Sequence, residues 1–288
     1  MSKYVTGHTG LLCLLGSPVA HSISPEMHNE ACLQLDIDYE YLAFDVGTDR
    51  LKTAVEGLRA LGVRGFNLTM PDKNLMAQLA DSLSPVSEIS GAVNTVVNED
   101  GHLIGYTTDG IGYMMSAKDA GHDLMGKHLV QLGAGGAGTS ILVQAAMDGV
   151  EKIDVFNVRD AFWPRVEHIV AELNRRTRCS VSLYDLQDMH TLRSCLARAD
   201  FLLNTTPVGM ERVPGCLIPD DSYFHSGLVV SDVIYEPKET MLLKMARQAG
   251  LKTFNGMYML LYQGAASFEL WTGQKMPVEH IKQKYFNV

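Results

Sequence analysis

The chain has 288 residues, 46% hydrophobic and 20% charged, with a formal net charge of −9. That length suffices for one large domain or two moderate ones, each with its own core. The acidic balance leaves no basic field for nucleic acid, so an anionic small ligand must find its positive charge locally.

No apolar run reaches the roughly 18 residues that a membrane span needs, and the opening MSKYVTGHTG has no signal-peptide pattern. A cytoplasmic protein is expected. The cysteines at 13, 32, 179, 195 and 216 are odd in number and form no CxxC pair. They read as reduced side chains. The histidines show no HExxH spacing, and no protein metal site is expected.

Apolar strands and amphipathic segments alternate along the chain. The spacing predicts a strand at 11–16 and a helix at 25–36, with Ser24 as N-cap and Pro25 in the first turn. A strand at 39–46, a helix at about 50–61, a strand at 63–69 and a helix at about 73–82 follow. GAVNTVVN and HLIGYTT then form a hairpin-like pair about Glu99-Asp100-Gly101. Ile111, Met114, Met115 and Lys118 mark a linking helix. A second series begins after Lys127: the strand HLVQL, the turn GAGGAG, the helix TSILVQAAMDG and the strand KIDVFNV. Further strands are expected at 181–186, 200–205, 228–234 and near 252–255, then a buried helix at 257–271 and another near 278–286. This rhythm predicts two α/β domains with a cleft. The first has a mainly parallel sheet; the second is Rossmann-like.

Gly133-Ala134-Gly135-Gly136-Ala137-Gly138 satisfies G-x-G-x-x-G between an apolar strand and a helix. Glycines there let the backbone approach a pyrophosphate, whose charge meets unpaired N–H groups and the helix dipole. The plainer alternative is a tight turn with no ligand. The next strand ends at Asn157-Val158-Arg159-Asp160. An acid there suits the ribose hydroxyls and repels a 2′-phosphate. Asp160 therefore favours NAD, while Arg159 leaves NADP open.

Polar clusters end the strands of the first series: Ser22 and Ser24, Asn67 to Lys73, Asn94, and Thr107-Thr108-Asp109. Ligands gather at carboxyl ends of strands in α/β sheets. Small hydroxyls and amides suit a polyhydroxylated ligand, though they also form ordinary turns.

GSPVAHSISPEMHN (16–29) is similar to the opening signature of the shikimate dehydrogenase family, including its quinate/shikimate branch. FNLTMPDK (66–73) resembles that family's Asn-Val-Thr-x-Pro-x-Lys segment, with Leu68 for valine. GAVNT, GYTTDGIG, GAGGAG, NTTPVGM (204–210), DVIYEP (232–237) and GMYMLLYQGA (256–265) follow in the family's order. The resemblance spans essentially the whole chain.

It implies reversible, nicotinamide-dependent reduction of 3-dehydroshikimate to shikimate, on the route to chorismate and aromatic amino acids. The quinate-using branch also interconverts quinate and 3-dehydroquinate. By matching positions, Ser22, Ser24 and Tyr235 would bind the substrate carboxylate. Thr69, Asn94, Asp109 and Gln263 would meet the ring hydroxyls. Lys73 and Asp109 would be the catalytic pair; an alternative gives Lys73 mainly a binding role, with water relaying the proton. The implied cofactor contacts are the six residues 133–138 with Asn157, Arg159, Asp160, Thr206, Gly256 and Met259. The substrate domain would be 1–108 completed by 256–288, and the NAD(P) domain 109–255.

Two further departures from the family pattern matter. Val158 and Phe162 stand where NADP-specific members carry basic residues, which with Asp160 resembles the NAD-using branch. Thr107 replaces the usual asparagine. Rival readings are a dehydrogenase of quinate or another small hydroxylated carboxylic acid, and a non-catalytic NAD-responsive binding protein. A monomer or homodimer is expected.

Overall fold

The structure, a computed structural model, describes residues 5–69 and 72–286. Met70 and Pro71 of the FNLTMPDK segment lie outside the described residues. The chain divides into two compact units, Met1–Thr108 with Leu261–Val288, and Asp109–Leu260.

The first unit runs β1 (Gly10–Gly16), α1 (Ser24–Gln34), β2 (Tyr39–Asp45), α2 (Thr48–Ala60), β3 (Gly65–Leu68), α3 (Lys73–Leu79), β4 (Ser82–Leu83), α4 (Pro85–Ser90), β5 (Thr95–Glu99) and β6 (His102–Tyr106). Its sheet has the order β2-β1-β3-β5-β6-β4. β1 lies parallel between β2 and β3, which is why LLCLL is a continuous apolar run. Cys13 and Leu15 face one core with Phe66, Val96 and the α2 residues Leu51, Val55 and Leu58. Leu12 and Leu14 face the other, with Tyr41, Val97 and Trp271. That alternation is the two-residue period of a strand. Gly65 is needed where it is, because a Cβ there would sit 2.2 Å from the Trp271 indole nitrogen.

The first-unit sheet is mainly parallel as expected, with β5 antiparallel to both β3 and β6. Two local expectations are corrected. Ser24 is the first helical residue, not the N-cap: its N–H donates to Ser22 Oγ, and the Ile23 carbonyl already accepts from Met27. The helix expected over 73–82 stops at Leu79, because Ala80 is extended and the next residues pair with β6. Ser84 then caps α4, with Pro85 behind it and Gly91 left-handed at its end.

The second unit contains α5 (Asp109–Asp119), β7 (His128–Leu132), α6 (Gly136–Asp148), β8 (Lys152–Asn157), α7 (Trp163–Arg176), β9 (Ser180–Asp185), α8 (Met189–Leu196), β10 (Phe201–Asn204), β11 (Val229–Asp232), α9 (Met241–Gln248) and β12 (Lys252–Phe254). Its sheet is wholly parallel in the order β12-β11-β10-β7-β8-β9. This is the doubly wound dinucleotide-binding order, with its switch point between β7 and β10. Val130, Leu132, Leu202 and Val230 of the sheet bury against Leu192 and Leu196 of α8 and Leu242 and Leu243 of α9.

The chain ends with α10 (Met257–Thr272) and α11 (Val278–Tyr285). Residues 256–260, expected with the first domain, group with the second unit. Gly256 donates to the Ile234 carbonyl just past β11, and a Cβ on it would collide with Val233. Among the described residues, no helix is long and apolar enough to cross a membrane, and no cluster could hold a metal ion.

Glu30 of α1 binds α11 from beneath. Its two carboxylate oxygens lie 2.6 Å from Lys284 Nζ and 2.6 Å from His280 Nε2. Lys284 first, then His280, hold this carboxyl down from its ordinary 4.5 to about 2. A depressed carboxyl stabilises the fold above its unfolded value and loses that contribution as pH falls toward its folded one. Both cations are half exposed, so screening keeps the effect near 1 kcal/mol. Glu30→Gln is expected to lower the melting temperature by about 2–4 °C at neutral pH. The gap from the wild type should close between pH 4.5 and pH 2; thermal melts across that range check it.

Candidate active site

In the first unit the strand ends carry a continuous buried polar network. Asn67 Nδ2 donates to the Asn94 carbonyl (3.0 Å), Thr95 Oγ1 (3.0 Å) and Ser267 Oγ (3.2 Å), while its Oδ1 accepts from the Tyr41 hydroxyl at 2.8 Å. Asn94 Oδ1 accepts from the Thr108 N–H (2.8 Å) and from Thr95 Oγ1 (3.0 Å). Asn94 Nδ2 donates to Thr108 Oγ1 (3.0 Å) and reaches Gln263 Oε1 at 3.4 Å. Ser267, one turn beyond Gln263 on α10, lies 2.7 Å from Thr95 Oγ1 and donates to the Gln263 carbonyl. Two expected site residues, Asn94 and Gln263, are therefore held together by side chains the sequence reading did not single out: Tyr41, Thr95 and Ser267. The available signal was the polar pair 263 and 267, four apart in the mostly apolar stretch 257–268.

Around this network stand the other first-unit candidates. Ser24 is buried, and so is the Tyr41 phenol, which burial drives well above its ordinary pKa. Ser22 is half-buried and accepts from the Ser24 N–H. Thr69 follows β3 with its N–H on the Leu15 carbonyl. Gly16 opposite has no room for a Cβ, which would lie 2.2 Å from Thr69 Cγ2. Lys73 opens α3, and its carbonyl accepts from the Val93 N–H at 2.9 Å, beside Asn94. The preceding Asp72 is buried and accepts from Thr48 Oγ1 at 2.6 Å. Asp109 and Tyr235 belong to the second unit: Asp109 begins α5, directly after the pinned Thr108, and Tyr235 follows β11. Burial, then the Glu236 charge, raises the Tyr235 phenol.

The second unit builds the glycine turn from both sides of its switch point. Gly133 has φ +91°, and a Cβ on it would lie 2.7 Å from Thr206 Cγ2. On Gly138 a Cβ would lie 2.5 Å from Thr205 Oγ1. Above Gly135 and Gly136 a Cβ would meet nothing within 4 Å, and α6 starts with no side-chain cap. Open space over an uncapped helix N-terminus is the arrangement that admits a pyrophosphate. The turn's other contacts are internal. Asn157 Oδ1 accepts from the Ala134 N–H, and Gln131 Nε2 donates to the carbonyls of Gly133 and Gly138. Thr205 Oγ1 donates to the Leu132 and Gly133 carbonyls. Thr206 donates through both N–H and hydroxyl to Asn204 Oδ1, and Met259 is buried in the first turn of α10. Gln131 and Thr205 were missed in the sequence; a polar residue inside the buried strand HLVQL was the visible sign.

Past β8, Asp160 Oδ1 accepts from the Phe162 N–H and closes a turn at the start of α7. Arg159 Nε donates to Asp185 Oδ2 at 3.1 Å, and its guanidinium lies 4.5 Å from the centre of the Trp163 ring. Val158 and Phe162 are exposed apolar side chains.

A doubly wound sheet with an open glycine turn at its switch point, joined to a second α/β unit rich in ordered hydroxyls and amides, defines an oxidoreductase using a nicotinamide dinucleotide. Residues 14–96 match the shikimate dehydrogenase substrate binding domain, and residues 256–284 the shikimate 5'-dehydrogenase C-terminal domain. The chain is 47% identical over 287 residues to the shikimate dehydrogenase (NADP(+)) of Listeria innocua, covering 99% of both chains. It is 45% identical to that of Streptococcus uberis, covering 100% of this chain and 99% of the other. A Listeria monocytogenes shikimate 5-dehydrogenase solved with shikimate and NAD superposes with a TM-score of 0.94, at 46% identity over 98% of each chain. A quinate dehydrogenase of Corynebacterium glutamicum solved with NAD gives 0.85 at 30% identity, over 97% of this chain and 99% of the other. The chain belongs to the shikimate dehydrogenase family and is an oxidoreductase.

Proposed function

We propose that the chain interconverts 3-dehydroshikimate and shikimate, with NAD preferred over NADP. The observation that carries the substrate half is the buried network that fixes Asn94 and Gln263. Amides whose partners are already set read hydroxyl positions without reordering on binding. Thr69 adds a hydroxyl, Asp109 a carboxylate acceptor, and Ser22 and Ser24 offer donors to the substrate carboxylate, a role Tyr235 takes on the resemblance alone.

Bound nicotinamide supplies or accepts the hydride. Gly133 to Gly138 would receive the pyrophosphate on the turn that Asn157 holds in place, and Thr206, Gly256 and Met259 would add further cofactor contacts on the family resemblance. In reduction, the Lys73 ammonium donates a hydrogen bond to the substrate carbonyl, then a proton to the forming alkoxide, and recovers a proton from solvent. Asp109 is the second member of the catalytic pair on the family resemblance. Oxidation runs the same steps backward, with neutral Lys73 as base.

Three observations support NAD. Val158 and Phe162 offer an apolar surface in place of a basic clamp, Asp160 stands at the ribose end of β8, and Arg159 is already engaged by Asp185 and Trp163. The same reading puts the enzyme in the cytoplasm, as a monomer or homodimer, on the route to chorismate and aromatic amino acids. Steady-state assays of shikimate and quinate with each cofactor test the proposal. The expected result is shikimate turnover with kcat/KM at least about tenfold higher for NAD than NADP. Higher kcat/KM with quinate would move the enzyme to the quinate branch, and cofactor binding without turnover would leave a binding protein.

A further inference from the structure

We propose that Asp185 is a cofactor-specificity residue: it holds Arg159 against Trp163 and so denies that guanidinium to a 2′-phosphate. The proposal rests on the reading that the 133–138 turn binds a dinucleotide. In a doubly wound sheet the adenosine ribose lies at the carboxyl end of the second strand of the fold, here β8. Asn157 ends β8 and pairs directly with Asp185, the last residue of β9. Sheet register therefore delivers a carboxylate to the side of the ribose position, 26 residues from the Arg159 it binds.

The arrangement is specific at each atom. Asp185 Oδ2 accepts from Arg159 Nε at 3.1 Å, while Oδ1 accepts from the Gln187 N–H at 2.9 Å, which fixes the carboxylate. The guanidinium rests over the Trp163 ring at 4.5 Å, and Trp163 is itself buried, with its indole N–H on Glu167 at 2.7 Å. A 2′-phosphate placed here would meet the Asp185 and Asp160 carboxylates and an arginine whose charge is already shared. A ribose with free hydroxyls meets acceptors instead. The ion pair is solvent-facing, the Arg159 side chain being 67% exposed. Such pairs contribute little to stability, so altering it leaves the fold intact.

The test measures equilibrium binding of adenosine 5′-monophosphate and adenosine 2′,5′-bisphosphate by calorimetry, independent of substrate and turnover. Asp185→Asn keeps an acceptor for Gln187 and removes the charge. It is expected to raise bisphosphate affinity relative to monophosphate about tenfold, the scale of a gained charge-assisted hydrogen bond. In Arg159→Ala/Asp185→Asn most of that gain should vanish, because the guanidinium is what the phosphate gains. An unchanged ratio in Asp185→Asn overturns the proposal, as does a gain that persists without Arg159. Wild-type protein that binds neither nucleotide overturns the dinucleotide reading along with it.

Discussion

Lys73→Ala is expected to lower kcat by about 10²–10⁴-fold while changing the KM for shikimate only a few-fold, the usual scale of lost general acid–base catalysis. The fold prepares this lysine in three ways. Its carbonyl receives the Val93 N–H, tying the start of α3 to the residues entering β5. Asp72 before it is buried, with its N–H on the Thr69 carbonyl and its carboxylate on Thr48. The chain therefore carries Thr69, Lys73 and Asn94 in a fixed relation before any substrate binds, which is how positioned groups convert binding into rate. Lys73→Met, nearly the same length but without a proton, should be as slow as the alanine variant. Unaltered NAD affinity in both, read by calorimetry, would show that the fold is intact. A kcat reduced only a few-fold, with KM raised strongly, would make Lys73 a binding residue and shift proton transfer to water.

Asn67→Leu should be the most destabilising single change near the site. The leucine fits the volume but leaves the Tyr41 hydroxyl without its acceptor and takes a donor from Asn94, Thr95 and Ser267, all within the buried network. Stranding buried polar groups costs about 1–3 kcal/mol each, partly offset where other partners remain. A net loss of about 2–4 kcal/mol corresponds to a fall of about 5–15 °C in melting temperature. Since Asn94 and Gln263 are held by the same network, kcat/KM should fall with it, by about tenfold or more. Circular dichroism melts and steady-state kinetics on the purified variant check both. An unchanged melting temperature would mean that the network is not cooperative.

Much of this was legible in the residues. The run LLCLL announced a strand buried on both faces, and the glycine turn stood between a strand and a helix as its sequence implied. What stayed hidden depends on pairings distant in the chain. Thr95 and Ser267 are 172 residues apart and meet only because α10 packs back on β5; no local pattern marks them. The Arg159–Asp185 pair follows from the register of β8 and β9, which sequence spacing does not report. Ser24 looked like a helix cap because serine before proline usually is one, yet the helix already includes it and Ser22 takes its N–H. The short strand β4 replaced the end of a helix because pairing with β6 outweighed the helical propensity of residues 80–82. Asp160 was expected at the ribose; in the structure one of its oxygens closes the turn that starts α7.

The most direct measurement is oxidation of shikimate by the purified chain with NAD, followed by the absorbance of reduced nicotinamide, with the carbonyl product identified by chromatography. The account predicts steady NADH formation matched mole for mole by 3-dehydroshikimate, and its near-complete loss in Lys73→Ala. NAD bound in the absence of any shikimate-dependent NADH formation would contradict it.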